Sequence, residues 1–290
     1  MSRAAVIIPA RWGSTRFKGK PLHLVAGKPL LRHVWERCRR AKELDAVIIA
    51  TDDMRIAQAA FDWGAEVALT SPRHRSGTDR VAEVARKARQ FDFVINVQGD
   101  EPLIEPRLIN RIVKKLRSDH KIDIVTAAHP FADSSDSSSP HQVKVAVDDN
   151  GVALDFFREP PSSRTGDLPR RVVAERKRHT ADSNKPRLAS RPSLKVLRHQ
   201  GIYGFRRRAL FRFVTWKQSP RERTESLEQL RALENGVRVH VLLTKHGSPG
   251  VDTLADAKAV AASLREAQLK RRKNSRRVAR RATATGRISR

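Results

Sequence analysis

Cysteine is almost missing from this chain. Its 290 residues hold one, Cys38, which excludes an internal disulfide framework and a cysteine-rich zinc cage. Apolar Leu30, Leu31, Val34 and Trp35 precede it at helical spacing, so Cys38 reads as a small buried hydrophobe. Long apolar runs are missing too. The first, residues 4–8, is too short for a signal peptide, and none approaches transmembrane length. A soluble cytoplasmic protein without membrane insertion is the expectation. The two familiar phosphate loops are also absent: no Gly-x-Gly-x-x-Gly follows the first apolar run, and no Gly-x4-Gly-Lys-Ser/Thr occurs anywhere. Nicotinamide-dependent hydride transfer and P-loop kinase chemistry lose their support.

Acidic residues are scarce, 31 against 59 Lys and Arg, for a net charge of +28. Such a field favours anionic partners. Its distribution decides which part of the chain would use it. Residues 270–290 carry +10 and residues 158–198 carry +8, so two segments hold 18 of the 28 charges and leave about +10 on the rest. Polyanion binding by the whole chain is not required.

What is present is an alternation. Apolar runs at 4–8, 46–50, 66–69, 93–97 and 122–127 read as strands, with helical patterns between them at 29–42, 53–63, 78–90 and 106–118. This order implies βαβ units and a mainly parallel sheet. Runs 143–147 and 152–156 flank Asp148-Asp149-Asn150-Gly151, a hairpin signal that grafts an antiparallel element onto the sheet. A helix near 221–235, a strand at 237–243 and a helix opening at Thr253, with Asp256 completing a capping box, close the folded part. Residues 159–195 read as a long flexible loop and 269–290 as a basic disordered tail, leaving one domain over 1–268.

Four segments can carry chemistry. After the first strand, Ala10-Arg11 through Lys20 places Arg11, Arg16 and Lys20 among glycines and hydroxyls, which suits a phosphate chain. A solvated basic loop has the same composition. After the fourth strand comes Gln98-Gly99-Asp100-Glu101-Pro102, where Asp100 suits Mg²⁺ or caps the next helix. Asp252 precedes the last helix, and together with Asp100 it would form a two-carboxylate metal site opposite the cations. Ser76-Gly77-Thr78-Asp79-Arg80 is a helix start able to read a base or phosphate, and equally an ordinary cap.

Taken in order, Ile7-Ile8-Pro9-Ala10-Arg11, Ser14-Thr15-Arg16, Gly19-Lys20-Pro21-Leu22, Ser76–Arg80, Asn96–Pro102, His199-Gln200-Gly201-Ile202-Tyr203-Gly204, Leu227-Glu228-Gln229-Leu230-Arg231 and Gly250-Val251-Asp252-Thr253 resemble the 3-deoxy-D-manno-octulosonate (Kdo) cytidylyltransferase family over residues 3–265. The resemblance implies an α/β, Rossmann-like nucleotidyltransferase sandwich with a mixed, mostly parallel sheet and a smaller subregion for homodimerisation. It implies CTP and Kdo as substrates, and CMP-Kdo and pyrophosphate as products, for lipopolysaccharide synthesis. By residue, it implies that Ala10, Arg11, Arg16, Lys20, Ser76, Gly77, Thr78 and Arg80 bind the nucleotide. Asp100 and Asp252 would bind Mg²⁺, with Lys20 catalytic beside them. Gln98, Arg158, His199, Tyr203, Glu225 and Glu228 would surround the sugar acid. The chain departs from the family pattern at Glu159-Pro160-Pro161-Ser162, at Phe17-Lys18, and just before Gly250, where a glycine is usual. The first departure bears on Arg158.

Neighbouring readings keep the chemistry and change the acid to a sialic acid or an amino-substituted Kdo, or make the chain a degenerate homologue. A reading from another class is a nucleic-acid-binding protein, which leaves the paired carboxylates unexplained. The charge map tests it: deleting residues 270–290 should remove most salt-dependent polyanion binding, read as affinity against salt concentration. An unchanged affinity and slope would place that binding on the body.

Overall fold

The computed structural model describes residues 2–13, 17–131, 139–159, 195–267 and 269. Arg16, nearly all of the 159–195 segment and the tail beyond 269 lie outside the described residues. The strands are β1 (Ala4–Ala10), β2 (Leu24–Val25), β3 (Lys28–Pro29), β4 (Ala46–Thr51), β5 (Glu66–Leu69), β6 (Phe93–Asn96), β7 (Ile124–His129), β8 (Lys144–Val147), β9 (Ala153–Phe157), β10 (Lys195–Arg206) and β11 (Val239–Leu243). The helices are α1 (Leu30–Cys38), α2 (Met54–Asp62), α3 (Gly77–Lys87), α4 (Pro106–Ser118), α5 (Arg207–Thr215), α6 (Pro220–Glu225), α7 (Leu230–Glu234) and α8 (254–267).

The main sheet runs β11-β7-β10-β6-β1-β4-β5, with β8 paired to β10 and to β9. β6, β1, β4 and β5 are mutually parallel, and β11 is parallel to β7. Within that order β10 is the strand that runs antiparallel to both neighbours. The sheet is mixed and mostly parallel, as the alternation of signals implies.

β1 shows why an unbroken apolar run folds this way. All seven of its residues are buried. Ala5 and Ile7 pack toward α3 and α5, whereas Ala4, Val6 and Ile8 pack toward α1, α2 and α4. Successive side chains alternate faces, so a strand covered on both sides needs apolar residues throughout. Neighbouring β6 is buried at every position as well.

Several elements differ from the sequence reading, the strand β10 among them. The helical pattern at 221–235 is broken into α6 and α7 by Ser226, whose φ of 54° is left-handed. Between the pieces Glu222 and Arg231, both buried, form an ion pair with Nε to Oε2 at 2.8 Å. The break turns Leu227 and Leu230 into the core while Glu228 and Gln229 face a cavity. Helix α5 was not expected, because Arg207, Arg208 and Arg212 interrupt its apolar face. The capping box of α8 forms, with Thr253 N and Asp256 Oδ2 at 2.8 Å and Asp256 N and Thr253 Oγ1 at 3.2 Å. No described helix is long and apolar enough to cross a membrane.

β10 crosses the sheet so close to α4 that Gly204 has no room for a side chain. A Cβ there would overlap Ile112 Cγ2 and sit 3.1 Å from Leu116 Cδ1. Gly204→Ala should therefore destabilise the fold by about 1–3 kcal/mol through overpacking, read as a lowered urea midpoint. An unchanged midpoint would contradict this packing.

Candidate active site

From β1 the chain steps outward through β4 to β5, then returns to place β6 on β1's other side. Where strand order reverses, parallel α/β sheets open a crevice beyond their carboxyl ends. Here β1 and β6 are paired as far as Ile7 and Asn96, whereas β1 stays paired with β4 out to Ala10 and Thr51. Beyond Asn96 the chain turns against β1 at Gly99. A Cβ on Gly99 would lie 3.0 Å from the Pro9 carbonyl oxygen and 3.3 Å from Leu31 Cδ1, so glycine is what permits this approach.

Two adjoining cavities occupy the crevice. The smaller, about 270 Å³, is lined by Ala10, Arg11, Lys20, Ser76, Gly77, Arg80, Gln98, Asp100 and Asp252, together with His74 and Arg75. The larger, about 1000 Å³, is lined by Gln98, Arg158, His199, Tyr203 and Glu228 among others. Ser76, Gly77, Gln98 and Asp252 belong to both walls. Of the described residues singled out in the sequence, Thr78 and Glu225 do not line either cavity. Thr78 is buried behind the wall. Glu225 stands behind Arg158, accepting from its N at 3.3 Å and, through its own carbonyl, from its Nε at 3.0 Å.

Lys20 marks the junction. Gly19, with φ of 70°, turns the chain into a short 3-10 helix that opens at Lys20. Lys20 Nζ lies 2.6 Å from Asp100 Oδ2 and 3.2 Å from Asp252 Oδ1. Asp252 is held by the backbone as well: Val251 N donates to Asp100 O at 2.9 Å. Two carboxylates aimed at one point repel each other unless a cation lies between them. Lys20 supplies that charge, with its side chain only 14% exposed. Arg80 is held further in, bonded to Thr70 and paired with Asp52 at 3.2 Å. On the same rim His74 meets Glu83 at 2.6 Å. The Glu83 carboxyl is pulled down to about 2, chiefly by the backbone N–H of Ser71.

The donor set suits Mg²⁺, which takes one or two carboxylates and completes its shell with water and substrate phosphate. Asp100 and Asp252 are hard oxygen donors that converge on one point. Among the described residues, no cluster of three or more His, Cys, Asp and Glu forms a ready-made cage.

The larger cavity has buried polar groups, Gln200 and Glu101, in its wall. β10 bulges against β7 between Gln200 and Tyr203, and the extra residues re-aim the side chains beside it. His199 Nε2 lies 3.0 Å from Thr126 Oγ1 and 2.9 Å from the Tyr203 hydroxyl. Burial pushes His199 down to about 3 and raises Tyr203 well above the ordinary phenol range. Glu101, given no role from the sequence, is buried in this wall with Gln200 Nε2 at 3.5 Å. Burial, and then the neighbouring Asp100 carboxylate, push it up to about 8. Its adjacency to Asp100 was visible in the sequence; its burial was not.

These described elements form the α/β nucleotidyltransferase fold. A solved structure of CMP:2-keto-3-deoxy-manno-octonic acid synthetase complexed with CTP superposes with a TM-score of 0.77 at 35% identity, covering 91% of this chain and 99% of that one. A 4-diphosphocytidyl-2C-methyl-D-erythritol synthase from Anaerococcus prevotii, 17% identical with a TM-score of 0.55, shares the fold alone. The cytidylyltransferase family model matches residues 5–239. The 3-deoxy-manno-octulosonate cytidylyltransferase of Marinobacter nauticus is 45% identical across 87% of this chain and 93% of its own length. That of Pseudomonas syringae pv. tomato is 44% identical across 88% and 95%. The chain belongs to the 3-deoxy-manno-octulosonate cytidylyltransferase family.

The depressed His199 sets a pH dependence. A base with a lowered folded-state value contributes stability that is present above its unfolded value, near 6.5, and lost as pH falls toward 3. His199→Gln should flatten the stability–pH slope between those limits by about 1 kcal/mol per pH unit, measured by denaturant titration at several pH values. Equal slopes in the two proteins would contradict an imidazole held neutral in the folded state.

Proposed function

We propose that this chain is a Mg²⁺-dependent cytidylyltransferase acting within a domain spanning 1–268, which joins CTP to 3-deoxy-D-manno-octulosonate. The anomeric hydroxyl oxygen forms a bond to the α-phosphorus and gives up its proton to solvent, the bond from the α-phosphorus to the β-phosphate oxygen breaks, and pyrophosphate leaves with the electron pair. The observation that carries this reading is Lys20 held between Asp100 and Asp252 where the two cavities meet.

In this reading the smaller cavity takes CTP. Arg11, Arg16 and Lys20 hold the triphosphate, and Lys20 offsets charge at the reacting phosphate. Ala10, Ser76, Gly77 and Arg80 frame the nucleoside. Asp100 and Asp252 would hold Mg²⁺, which when bound supplies charge compensation and alignment. The larger cavity takes the sugar acid. Arg158 suits the carboxylate: its Nε and Nη1 are tied to the carbonyls of Glu225 and His141, which orients the guanidinium. Gln98, His199, Tyr203 and Glu228 suit hydroxyls. The same reading carries a cytoplasmic homodimer serving lipopolysaccharide synthesis.

Pyrophosphate release should require CTP, the sugar acid and Mg²⁺ together; none released by folded protein would overturn the reading. Asp100→Ala should lower turnover by more than about 100-fold while leaving the circular dichroism spectrum intact. Near-normal turnover would remove Asp100 from the site. Relative rates with Kdo, amino-substituted Kdo and sialic acid fix the preferred acid.

A further inference from the structure

Thr78 and Asn96 lie behind the wall shared by the two cavities, and both are fully buried, at 1% and 0% exposed. Neither lines a cavity, yet together they connect two residues that do. Gln98 Nε2 donates to Asn96 Oδ1 at 3.2 Å. Asn96 Nδ2 donates to Thr78 Oγ1 at 3.1 Å. The Thr78 hydroxyl donates to Glu228 Oε1. Three hydrogen bonds thus run in one direction from β6 through the first turn of α3 to the turn before α7.

The direction follows from the end group. Burial raises the Glu228 carboxyl, and the Thr78 hydrogen bond and then the charge of Arg231 oppose that rise; in its carboxylate form it only accepts. To that form Thr78 donates, which leaves its oxygen to accept from the Asn96 amide nitrogen. That turns the Asn96 carbonyl toward Gln98, which must answer with its own NH₂. The Gln98 carbonyl oxygen is left facing outward, 3.5 Å from where a Cβ on Gly77 would sit. Both ends of the relay consequently show acceptors at the wall, the Gln98 carbonyl and the Glu228 carboxylate. A ligand bearing several hydroxyl donors matches them.

We propose that Thr78 and Asn96 are positioning residues for the sugar acid: their relay fixes the Gln98 amide and the Glu228 carboxylate as a hydroxyl-accepting wall, and the Thr78 side chain does not serve the nucleotide. The inference rests on the assignment of the larger cavity to the sugar acid. It gives Thr78 a different task from the nucleotide contact that the family resemblance implies, and it gives Asn96 one.

Thr78→Val keeps the side-chain shape and removes the hydroxyl, leaving the Asn96 amide without its acceptor and Glu228 with the Ser76 hydrogen bond alone. KM for the sugar acid should rise about 10- to 100-fold, the range of a hydrogen bond to a charged group. KM for CTP should stay within about twofold. Thr78→Ser restores the hydroxyl and should return the sugar KM to within about twofold of the parent. A change confined to thermal stability, or a rise in KM for CTP, would overturn the relay. Calorimetric titration with CTP alone separates the two levels of inference. Unchanged CTP affinity in Thr78→Val supports the relay and weakened affinity overturns it, even if the parent chain proves inactive and the functional reading falls. Should Thr78→Val fail to fold, Thr78→Ala carries the same readouts in a smaller side chain.

Discussion

The site depends on the parting of β1 and β6. These parallel strands are bonded side by side as far as Ile7 and Asn96 and then separate, because strand order reverses at β1. Everything chemical lies beyond that point. Gly99 lets the turn after β6 press against Pro9, which holds Asp100 at the lip of the smaller cavity. On the β1 side the loop returns through Gly19 and delivers Lys20 to the same lip. Without the reversal, the two loops would leave neighbouring strands with no crevice to share.

Lys20 turns that geometry into electrostatics. Its ammonium contacts one carboxylate from the β6 loop and another from the segment before α8, charges that would otherwise push the segments apart. The pair is moderately exposed on the carboxylate side, with Asp252 61% accessible, so its contribution to stability is small. Its value is positional: it keeps two hard oxygen donors converging where the smaller and larger cavities meet. The deep part of the larger cavity uses the opposite device. There burial, rather than pairing, sets protonation, keeping His199 neutral and raising Glu101.

Much of the fold was legible because β1, β4 and β6 are covered on both faces or nearly so, and covered parallel strands read as unbroken apolar runs. The hairpin was legible for a local reason: Asp148 Oδ1 accepts from Asn150 N at 2.9 Å and Val152 N at 2.7 Å, and Gly151 takes a positive φ. β10 was not legible. Its polar His199 and Gln200 face the cavity, and the bulge between Gln200 and Tyr203 destroys the twofold period. α6 and α7 read as one helix because the break at Ser226 is imposed by tertiary packing and the buried Glu222–Arg231 pair. In the site, the loops that hold the cations and carboxylates were legible as short motifs after strands. The ion pair that joins them spans 80 and 232 residues and is created only by the sheet. The Gln98–Asn96–Thr78–Glu228 relay likewise ends on a partner 150 residues from Thr78.

The central claim is that the crevice brings the α-phosphate of a nucleotide to a sugar hydroxyl. Phosphorus NMR of the complete reaction mixture reads this directly, because it reports which phosphate bond breaks. The account predicts loss of the CTP signals with equal growth of pyrophosphate and a new phosphodiester resonance. Unchanged CTP, or CDP with inorganic phosphate in place of the diester, would contradict it.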